Sequence, residues 1–216
     1  MKVLELFAGT RSISRAFATR GHETFSVDWS RDFPDIDLYA DISTLTASEI
    51  LERFGRPDVI WASPDCTTYS LMAVSSHRER LKDGTLAPKT DYARFCDRCN
   101  ARVIRLIREL APKCFFIENP VGCLCKMPFM QGIPKHLVTY CQYGDTRQKP
   151  THIFTDYPEP GFKSCKRGDK CHEAAPRGAK TGTQGIKGRI DRARIPALLC
   201  EHIVDLCEGG NRNEQA

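Results

Sequence analysis

A cysteine and a glutamate follow two apolar segments of the sequence, each at the point where a strand is expected to end. Cys66 lies in "WASPDCTTYS", after the apolar run "DVIW", and Glu118 lies in "FFIENP". A thiol can act as a nucleophile when a positive charge lowers its pKa, and an apolar setting can keep a carboxyl protonated. If the two strands are neighbours, both groups face one cleft. The alternative is an inert, buried cysteine, since cysteine is among the most buried residue types.

Four further positions at expected strand ends could bind a nucleotide-like ligand. Gly9 ends the apolar run "LELFAG", where a glycine lets the backbone approach a ligand and the next helix offers free N–H groups. Asp28 follows 19 residues later, close to the spacing at which an acidic residue accepts hydrogen bonds from a ribose. Trp29 could stack on an adenine, and the Asp41 carboxylate could accept from an exocyclic amine. The alternatives are a turn glycine, a surface or turn aspartate, and a tryptophan packed between strand and helix.

Apolar strand patterns and amphipathic helix patterns alternate along most of the chain. The strand patterns include "KVLELFAG", "ETFSVDWS", "PDVIWASP" and "KCFFIENP", and the helix patterns between them include "TRSISRAFATRG", "TASEILERFG" and "YARFCDRCNARVIRLIREL". Two more strand patterns follow, "HLVTYCQYG" and "THIFTDY". This order predicts an open, mostly parallel α/β sheet with helices on both faces. Ligands bind such sheets at the carboxyl ends of the strands, which is where Cys66 and Glu118 fall.

Two stretches without clear periodicity and a final helix complete the expected organisation. Residues 70–92 read as a polar loop whose length indicates a functional role. Residues 157–190 are rich in Gly, Pro and Lys and are expected to be irregular, whereas "RIPALLCEHIVDLCEGG" is typical of a helix with a proline in its first turn. We therefore divide the chain into a catalytic core over 1–155, a small basic segment with Cys and His over 156–190, and a C-terminal helix over 191–216 that returns to the core.

The composition is that of one globular domain with a small appendage. The 216 residues suffice for one substantial core. The first residues, "MKVLELFAGT", lack the apolar run of a signal peptide, and no stretch of about 18 apolar residues predicts a membrane span. We expect an intracellular protein without a membrane partner, and a monomer. The cysteines number eleven, at irregular spacings, which argues against a disulfide framework.

The positive charge of the chain is concentrated in one segment. The formal net charge is +5, yet the stretch from Lys163 to Arg194 alone contains ten Lys or Arg and three Asp or Glu. Such a concentration favours a polyanionic partner such as nucleic acid, although basic runs are often only solvated faces. We expect Lys166 and Arg167 to contact phosphates, so that the segment acts as a compact nucleic-acid contact.

A group of metal-binding residue types lies in the same basic segment. Cys165, Cys171 and His172 could hold zinc with one further ligand. A short, glycine-rich segment has little apolar surface of its own, so a metal would be a physical way to order it. The spacing matches no standard zinc pattern, and unligated thiols are the alternative that we favour. The candidates for the further ligand are Cys123, Cys125 and Cys141.

Several of these motifs occur in the order and approximate spacing of a known enzyme family. They are "LELFAGTRSISRAF", "SVDWS", "YADI", "WASPDCTTYS", "FFIENPVG" and "YCQYGDTRQKPTHIFT". In this order the chain resembles the DNA cytosine-5 methyltransferases, and most of all their short forms in phages and mobile elements. The resemblance spans residues 3–155 and resumes at "RARIPALLCEHI".

The resemblance implies a Rossmann-like methyltransferase fold that binds S-adenosylmethionine and acts on DNA, in the cytoplasm of a bacterial or phage-infected cell. Cys66 would attack carbon 6 of a cytosine flipped out of the duplex, and Glu118 would hold or protonate ring nitrogen 3, so that carbon 5 can accept a methyl group. Arg147 and Lys149 stand approximately where basic residues of the family contact the target nucleotide. The implied cofactor positions are Phe7 and Gly9 for methionine and ribose, Asp28 for the ribose, Trp29, Asp41 and Ile42 for the adenine, and with them Ala8, Thr10 and Pro64.

The sequence departs from the family pattern in two motifs and in one missing region. Asp65 stands where most relatives have a second proline, and its carboxylate would oppose formation of a thiolate at Cys66. Arg11 stands where a glycine is usual, and the long target-recognition region of larger relatives is absent. The alternatives are a relative that modifies RNA or another cytosine-containing substrate, and a non-catalytic DNA-binding relative. The presence of both Cys66 and Glu118 argues against an idle scaffold.

Overall fold

The fold is built around one large β-sheet. The computed structural model describes residues 1–173 and 188–210. Within these ranges a two-stranded hairpin, β5–β6, accompanies the sheet formed by the other strands. The strands are β1 (Lys2–Leu6), β2 (Glu23–Asp28), β3 (Leu38–Tyr39), β4 (Val59–Ala62), β5 (Arg78–Arg80), β6 (Leu86–Pro88), β7 (Cys114–Pro120), β8 (Lys135–Thr139) and β9 (Pro150–Phe154).

Two of the helices begin at threonine capping residues that the sequence provides. Thr46 and Glu49 form a capping box at the start of the second helix, and the Thr90 hydroxyl accepts from the Ala93 N–H at the start of the fourth. No helix in the described ranges is long and apolar enough to cross a membrane. The α-helices are α1 (Ser12–Thr19), α2 (Ala47–Arg53), α3 (Val74–His77), α4 (Asp91–Leu110), α5 (Arg189–Ala193) and α6 (Ala197–Gly210), and 3₁₀ turns cover Leu124–Lys126, Pro128–Met130 and Tyr140–Tyr143.

The sheet is mostly parallel, as the alternation of elements predicts. The strand order is β3-β2-β1-β4-β7-β9-β8. The first five strands of this order are parallel, whereas β9 pairs antiparallel with β7, and β8 pairs antiparallel with β9. The carboxyl ends of β1, β2, β4 and β7 therefore meet at one edge, and the start of β9 meets them there because that strand runs in the opposite direction.

Both faces of the sheet are covered, which explains the continuous apolar runs of the central strands. Leu4 and Ile60 point to the face covered by α2 and α4, where they pack with Ile104. Val3, the residue before Leu4 in β1, points to the opposite face, where it packs with Trp61 under α1 and α6. The expectation of helices on both faces is confirmed.

The loop between β1 and α1 is held by a buried acid in the strand before it. Arg11 precedes α1 in a left-handed conformation, with φ 55°, the region where a glycine is usual. Its side chain makes no capping bond, and Glu5 satisfies the start of the helix by accepting from the N–H groups of Ile13 and Ser14, at 3.3 and 2.8 Å. Burial raises the pKa of Glu5 to about 7. The first strand thus fixes the loop that carries the "FAGT" residues.

Three local details differ from the sequence expectations. Residues 70–92 contain α3 and the β5–β6 hairpin, with Gly84 at φ 87° in its turn, and the sequence did not reveal them because two three-residue strands are too short to leave a periodic signal. The strand expected at "HLVTYCQYG" ends at Thr139 and becomes a 3₁₀ turn. The pattern "TASEILERFG" predicts Ile50, Leu51 and Phe54 on one apolar side of the helix, but Leu51 is exposed, and Ile50 is the residue of α2 that is buried.

The C-terminal region returns to the core as expected. Helix α6 packs against α1, and the Tyr157 hydroxyl donates to the carbonyl of Leu206 at 2.9 Å. Residues 156–173 contain no strand or α-helix, as expected for the irregular segment, and Lys163 accepts from the Thr139 N–H of β8. Residues 174–187, a large part of the predicted basic segment, lie outside the described residues. The division into three regions stays a prediction.

A close backbone approach between two loops requires a glycine at position 122. The Tyr69 carbonyl accepts from the Cys123 N–H at 2.7 Å, and Ser70 forms a β-bridge with Gly122. A Cβ atom at Gly122 would lie 2.5 Å from the Tyr69 carbonyl oxygen, which is a backbone atom that cannot swing away. The loop after β7 is therefore seated against the turn that follows Cys66.

We predict that Gly122→Ala destabilises the protein by about 1–3 kcal/mol, because the two backbone segments must separate to admit a methyl group. Thermal or urea unfolding measures this change. Gly209→Ala in α6 is the matched control, since a Cβ there meets no atom within 4 Å, and its effect should stay within about 1 kcal/mol. Equal stability of the two variants would show that the approach of Gly122 to Tyr69 is not needed.

Candidate active site

Cys66 and Glu118 lie beyond neighbouring parallel strands, as their positions in the sequence predict. β4 pairs with β7 in a register that places Ala62 opposite Ile117, so both chains leave the sheet at the same edge. The amide of Asn119 donates to the Pro64 carbonyl at 3.0 Å and so joins the end of β7 to the loop that leads to Cys66. The thiol is half-buried and the carboxyl is buried.

The turn after Cys66 is pinned to α4 by a buried polar network. The buried Tyr69 hydroxyl donates to Asp97 at 2.7 Å and accepts from the Asn100 amide at 3.1 Å. The buried Arg78 guanidinium donates to both oxygens of Asp97, at 3.0 and 2.7 Å, and to the Thr68 carbonyl. It also lies over the ring of Tyr69, 4.3 Å from the centroid. The loop that carries the thiol is thereby rigidly anchored, a function that we could not predict for residues 70–92 from their polarity alone.

The Glu118 carboxylate has two partners from the chain that follows it. The Tyr140 hydroxyl donates to Oε1 at 3.0 Å, and the Lys149 ammonium lies 3.8 Å from the same oxygen. All three side chains are buried, and the ammonium also lies 4.2 Å from the centroid of the Tyr140 ring. Among the described residues both contacts fall on Oε1, so Oε2 is the oxygen left for a ligand.

The surroundings of Cys66 hold its thiol in the neutral form. Burial, the Asp65 carboxylate and Glu118 raise the pKa of Cys66 to about 11, and only Lys149 acts appreciably in the opposite sense. Asp65 is exposed and accepts from the Thr67 N–H at 2.7 Å, but it still opposes ionisation of the thiol, as its place in the sequence predicts. A lowered pKa, one condition for a nucleophilic cysteine, is therefore not met in the free protein.

Arg147 and Lys149, predicted to contact a nucleotide, are buried rather than spread on the surface. Arg147 donates through Nε at 2.8 Å and through Nη2 to the carboxylate of Asp145, while its buried Nη1 has no hydrogen-bond partner among the described residues. Lys149 faces Glu118 with its backbone in the left-handed region, at φ 32°. A buried donor without a partner and a strained backbone are typical of a binding site. The nucleotide contact stays a prediction.

A cavity opens beside the strand ends and coincides with five of the nine predicted cofactor positions. It encloses about 390 Å³ of space that is continuous with solvent. Phe7, Trp29, Asp41, Ile42 and Pro64 line it, together with Asp65. The residues that we missed lie on one face of α4, at a spacing of three and four that an amphipathic helix pattern could have revealed: Tyr92, Phe95, Cys96, Cys99 and Asn100.

Other predicted cofactor positions shape the loop rather than line the cavity. Asp28 is buried, and its two oxygens accept from the N–H groups of Gly9 and Ser30, at 2.9 and 2.8 Å. The alternative of a surface aspartate is therefore wrong for Asp28. Gly9 adopts φ 49°, a conformation that glycine favours, and Ala8 is buried beside it. The Thr10 hydroxyl bonds to that of Ser12 at 2.8 Å.

Trp29 and Asp41, two of the three positions predicted to contact the adenine, both line the cavity. Trp29 is 56% exposed, so it is not packed between strand and helix, and its ring is free to stack on a ligand. The Asp41 side chain accepts from the Ser43 N–H at 2.8 Å, which is a turn aspartate, while the residue also lines the cavity. A binding role for either residue stays a prediction.

The structure brings together the predicted metal-binding residues. Atoms that could bind a metal in Cys165, Cys171 and His172 lie within 4.8 Å of one another and of Cys141, the fourth member of the group. The other two candidates for a further ligand lie elsewhere: Cys123 is buried in the core, and the Cys125 thiol contacts the Gly122 carbonyl at 3.4 Å. The exposed Lys166 and Arg167 occupy the turn between the cysteines of the segment.

The fold is a Rossmann-like methyltransferase fold. Two features define it: the strand order with one antiparallel strand near an edge of the sheet, and the cavity at the carboxyl ends of the parallel strands. A crystal structure of a protein assigned as a DNA modification methyltransferase, encoded within a prophage (E. coli), superposes with a TM-score of 0.52 at 17% identity. The likeness covers 72% of this chain, which spans 46% of that structure.

A relative in sequence agrees with the motifs. The chain is 27% identical over 228 residues to a "Probable DNA (cytosine-5)-methyltransferase" of Frog virus 3 (isolate Goorha), which covers 96% of this chain and 100% of the relative. No family model matches the chain. The resemblance to the DNA cytosine-5 methyltransferases that the motifs predict is thereby confirmed, over nearly the whole length.

Because the pKa of Cys66 is raised to about 11, its alkylation by iodoacetamide should accelerate about tenfold per pH unit from about pH 7 to 9, since only the thiolate reacts. Mass spectrometry of the Cys66 peptide measures the rate. Asp65→Asn should raise the rate at fixed pH several-fold, because a charge that opposes ionisation is removed. Asp83→Asn, in the β5–β6 turn, is the control and should change nothing. A plateau below pH 9 would contradict the raised pKa.

Proposed function

We propose that the protein transfers a methyl group to carbon 5 of cytosine in DNA, through a covalent bond between Cys66 and the base. The observation that carries the proposal is the meeting of a thiol and a buried carboxylate at one sheet edge, where Tyr140 and Lys149 hold the carboxylate. The methyltransferase-like fold and the viral relative support the same reaction. A non-catalytic scaffold would need none of this buried polar arrangement, which is costly to desolvate.

S-adenosylmethionine is the methyl donor that fits the residues at the strand ends. The cavity combines the exposed ring of Trp29, which suits an adenine, with apolar Phe7 and Ile42. The Asp28 carboxylate, bonded to two backbone N–H groups, retains lone pairs that could accept from ribose hydroxyls. When bound, S-adenosylmethionine supplies an electrophilic methyl group at this edge of the sheet.

Cys66 would act on the pyrimidine ring from one face. Carbon 5 of cytosine is a poor nucleophile, and addition of the thiolate to carbon 6 moves an electron pair into the ring so that carbon 5 becomes nucleophilic. After methylation, loss of the proton from carbon 5 and breakage of the carbon–sulfur bond restore the aromatic ring and release the thiolate. Because its pKa is raised, the Cys66 thiol would stay unreactive until the base is bound.

Glu118 would stabilise the addition by holding a proton at ring nitrogen 3. Its Oε2 is the oxygen left for the base, because Tyr140 and Lys149 occupy Oε1. Lys149 serves both groups: it is the cation beside the carboxylate and also the charge that favours the thiolate of Cys66.

The base must leave the duplex to reach this cleft, because Cys66 lies in a recess and not on a projecting surface. The Nη1 group of the buried Arg147, which has no partner among the described residues, would donate a hydrogen bond to an oxygen of the flipped nucleotide. The exposed Lys166 and Arg167 lie on a turn, where the N–H of Lys166 donates to Asp169 at 2.8 Å. We propose that they contact backbone phosphates and substitute in part for a longer recognition region.

Cys66→Ala should abolish methyl transfer while leaving the fold and the binding of S-adenosylmethionine unchanged, because only the nucleophile is lost. The test is mass analysis of nucleosides after incubation of DNA, and separately RNA, with the protein and labelled S-adenosylmethionine. 5-Methylcytidine in RNA alone would transfer the proposal to an RNA substrate. Cys125→Ala, a half-buried cysteine outside the cleft, is the matched control and should retain activity. Turnover by Cys66→Ala would remove the thiol from the mechanism.

The double variant Lys166→Ala/Arg167→Ala should bind all DNA sequences more weakly and flatten the dependence of log affinity on log salt by about 0.9 per lost phosphate contact. Titration of duplex DNA at several salt concentrations measures the slope. The control is Arg105→Ala/Arg108→Ala, two exposed charges near the end of α4, at the edge of the sheet opposite the cleft. If both double variants change the slope equally, the basic turn has no special role.

A further inference from the structure

We propose that Cys141, Cys165, Cys171 and His172, here called the Cys3His cluster, bind one zinc ion that holds the basic segment against the active site. The four residues come from two parts of the chain. Cys141 lies in the 3₁₀ turn after β8, and the other three lie in the irregular segment that follows β9. The proposal goes beyond methyl transfer, and its experiments do not depend on that activity.

The distances within the cluster match the edges of a tetrahedron around zinc. With Zn–S of about 2.3 Å and Zn–N of about 2.0–2.1 Å, tetrahedral angles place two sulfurs about 3.8 Å apart, and a sulfur and a nitrogen about 3.6 Å apart. The Cys141 sulfur lies 3.3 Å from that of Cys165 and 3.7 Å from that of Cys171. His172 Nδ1 lies 4.0, 3.7 and 3.5 Å from the sulfurs of Cys141, Cys165 and Cys171.

The identity of the four atoms indicates a closed structural site. Three thiolates and one imidazole are the soft and borderline ligands that select zinc, and four protein ligands leave no open position for a substrate. A disulfide explains the arrangement less well. It would join two sulfurs at about 2.05 Å and would give neither the third sulfur nor His172 Nδ1 a reason to converge on the same point.

Hydrogen bonds around the cluster resemble the outer shell of a metal site. The Cys165 sulfur accepts from the Thr139 hydroxyl at 3.4 Å and from the Gln148 amide at 3.5 Å. The backbone N–H of Cys165 donates to the same Thr139 oxygen at 2.9 Å. Such donors stabilise a thiolate and fix its direction towards a metal. The Thr139 and Gln148 side chains come from β8 and from the connection to β9, outside the basic segment, and so orient the Cys165 sulfur from the core side.

A turn between Cys165 and Cys171 brings these two ligands close together. Lys166 and Asp169 form a turn in which each backbone N–H finds a partner in the other residue, and Gly168 adopts φ 93°. This geometry reverses the chain between Cys165 and Cys171. Beyond the ligands, the Glu173 N–H donates to the Thr146 carbonyl at 2.8 Å, which returns the segment to the loop before β9.

The Cys3His cluster is connected to both partners of Glu118. Cys141 follows Tyr140 directly, and Gln148, which donates to the cluster, precedes Lys149. The Tyr140 N–H also donates to the Gln148 carbonyl at 2.8 Å, so the two sides of the loop are joined. Zinc would therefore clamp the loop that presents the tyrosine hydroxyl and the ammonium to the carboxylate. Tyr140 and Lys149 are thus positioned by the metal, which itself touches no substrate.

The first experiment measures zinc in the full-length protein purified without chelator, by elemental mass spectrometry. We expect about one equivalent per chain in the wild type and less than about a tenth in Cys171→Ser, because loss of one ligand of four weakens a structural site severely. Cys125→Ser, another accessible thiol, is the matched control and should keep its zinc. Absence of metal near one equivalent in the wild type, or retention of zinc by Cys171→Ser, would overturn the proposal.

A second measurement guards against misfolding of the variant. Wild-type protein stripped of metal and loaded with Co²⁺ should show the intense visible absorption of tetrahedral thiolate ligation, and His172→Ala should alter its spectrum while Cys125→Ser does not. Peptide mapping of the unreduced, metal-free protein should show no disulfide among the three cysteines of the cluster. It also separates the cluster from the Cys114 and Cys207 sulfurs, which lie 3.6 Å apart in the core. A disulfide between two cluster cysteines would contradict the zinc site. Octahedral Co²⁺ absorption would contradict it as well.

Discussion

The buried carboxylate of Glu118 is the constraint that organises the edge of the sheet. A carboxylate in this position is stable only if donors and a cation accompany it. Tyr140 and Lys149 provide them, and both lie in the connection between β8 and β9, the strands added to the parallel sheet beyond β7. The reversal of β9 is needed for this purpose, since Lys149 precedes the start of β9 and meets the end of β7 only because these two strands run in opposite directions.

The same cation couples the carboxylate to the thiol on the neighbouring strand. Lys149 is the group that opposes the rise in the pKa of Cys66, while Asp65 and Glu118 add to it. The balance leaves the thiol neutral in the free protein. A rigid loop, pinned through Tyr69 to α4, keeps that thiol in place. The site therefore combines fixed geometry with a reactivity that depends on what enters the cleft.

Much of the fold could be predicted from the sequence, because the central strands are continuous apolar runs that end in Gly9, Asp28, Cys66 and Glu118, and α4 has a strong helical period. The partners of these residues could not be predicted in the same way. Tyr140 reaches Glu118 only through the pairing of three strands, and sequence separation gives no sign of this contact. The local pattern of apolar residues predicts the helices and strands, whereas the site is formed by contacts between helices, strands and loops that are distant in sequence. The β5–β6 hairpin escaped detection because its strands are too short for a period to register.

The central claim is covalent catalysis by Cys66, and trapping of the covalent intermediate tests it most directly. DNA that carries 5-fluorocytosine in place of cytosine would be incubated with the protein and S-adenosylmethionine, and the products would be separated under denaturing conditions. Fluorine cannot leave carbon 5 as a proton does, so the adduct should accumulate as a protein–DNA complex whose cross-linked peptide contains Cys66. A cross-link at another residue, or methyl transfer to ordinary DNA without any cross-link to the fluorinated DNA, would contradict the account.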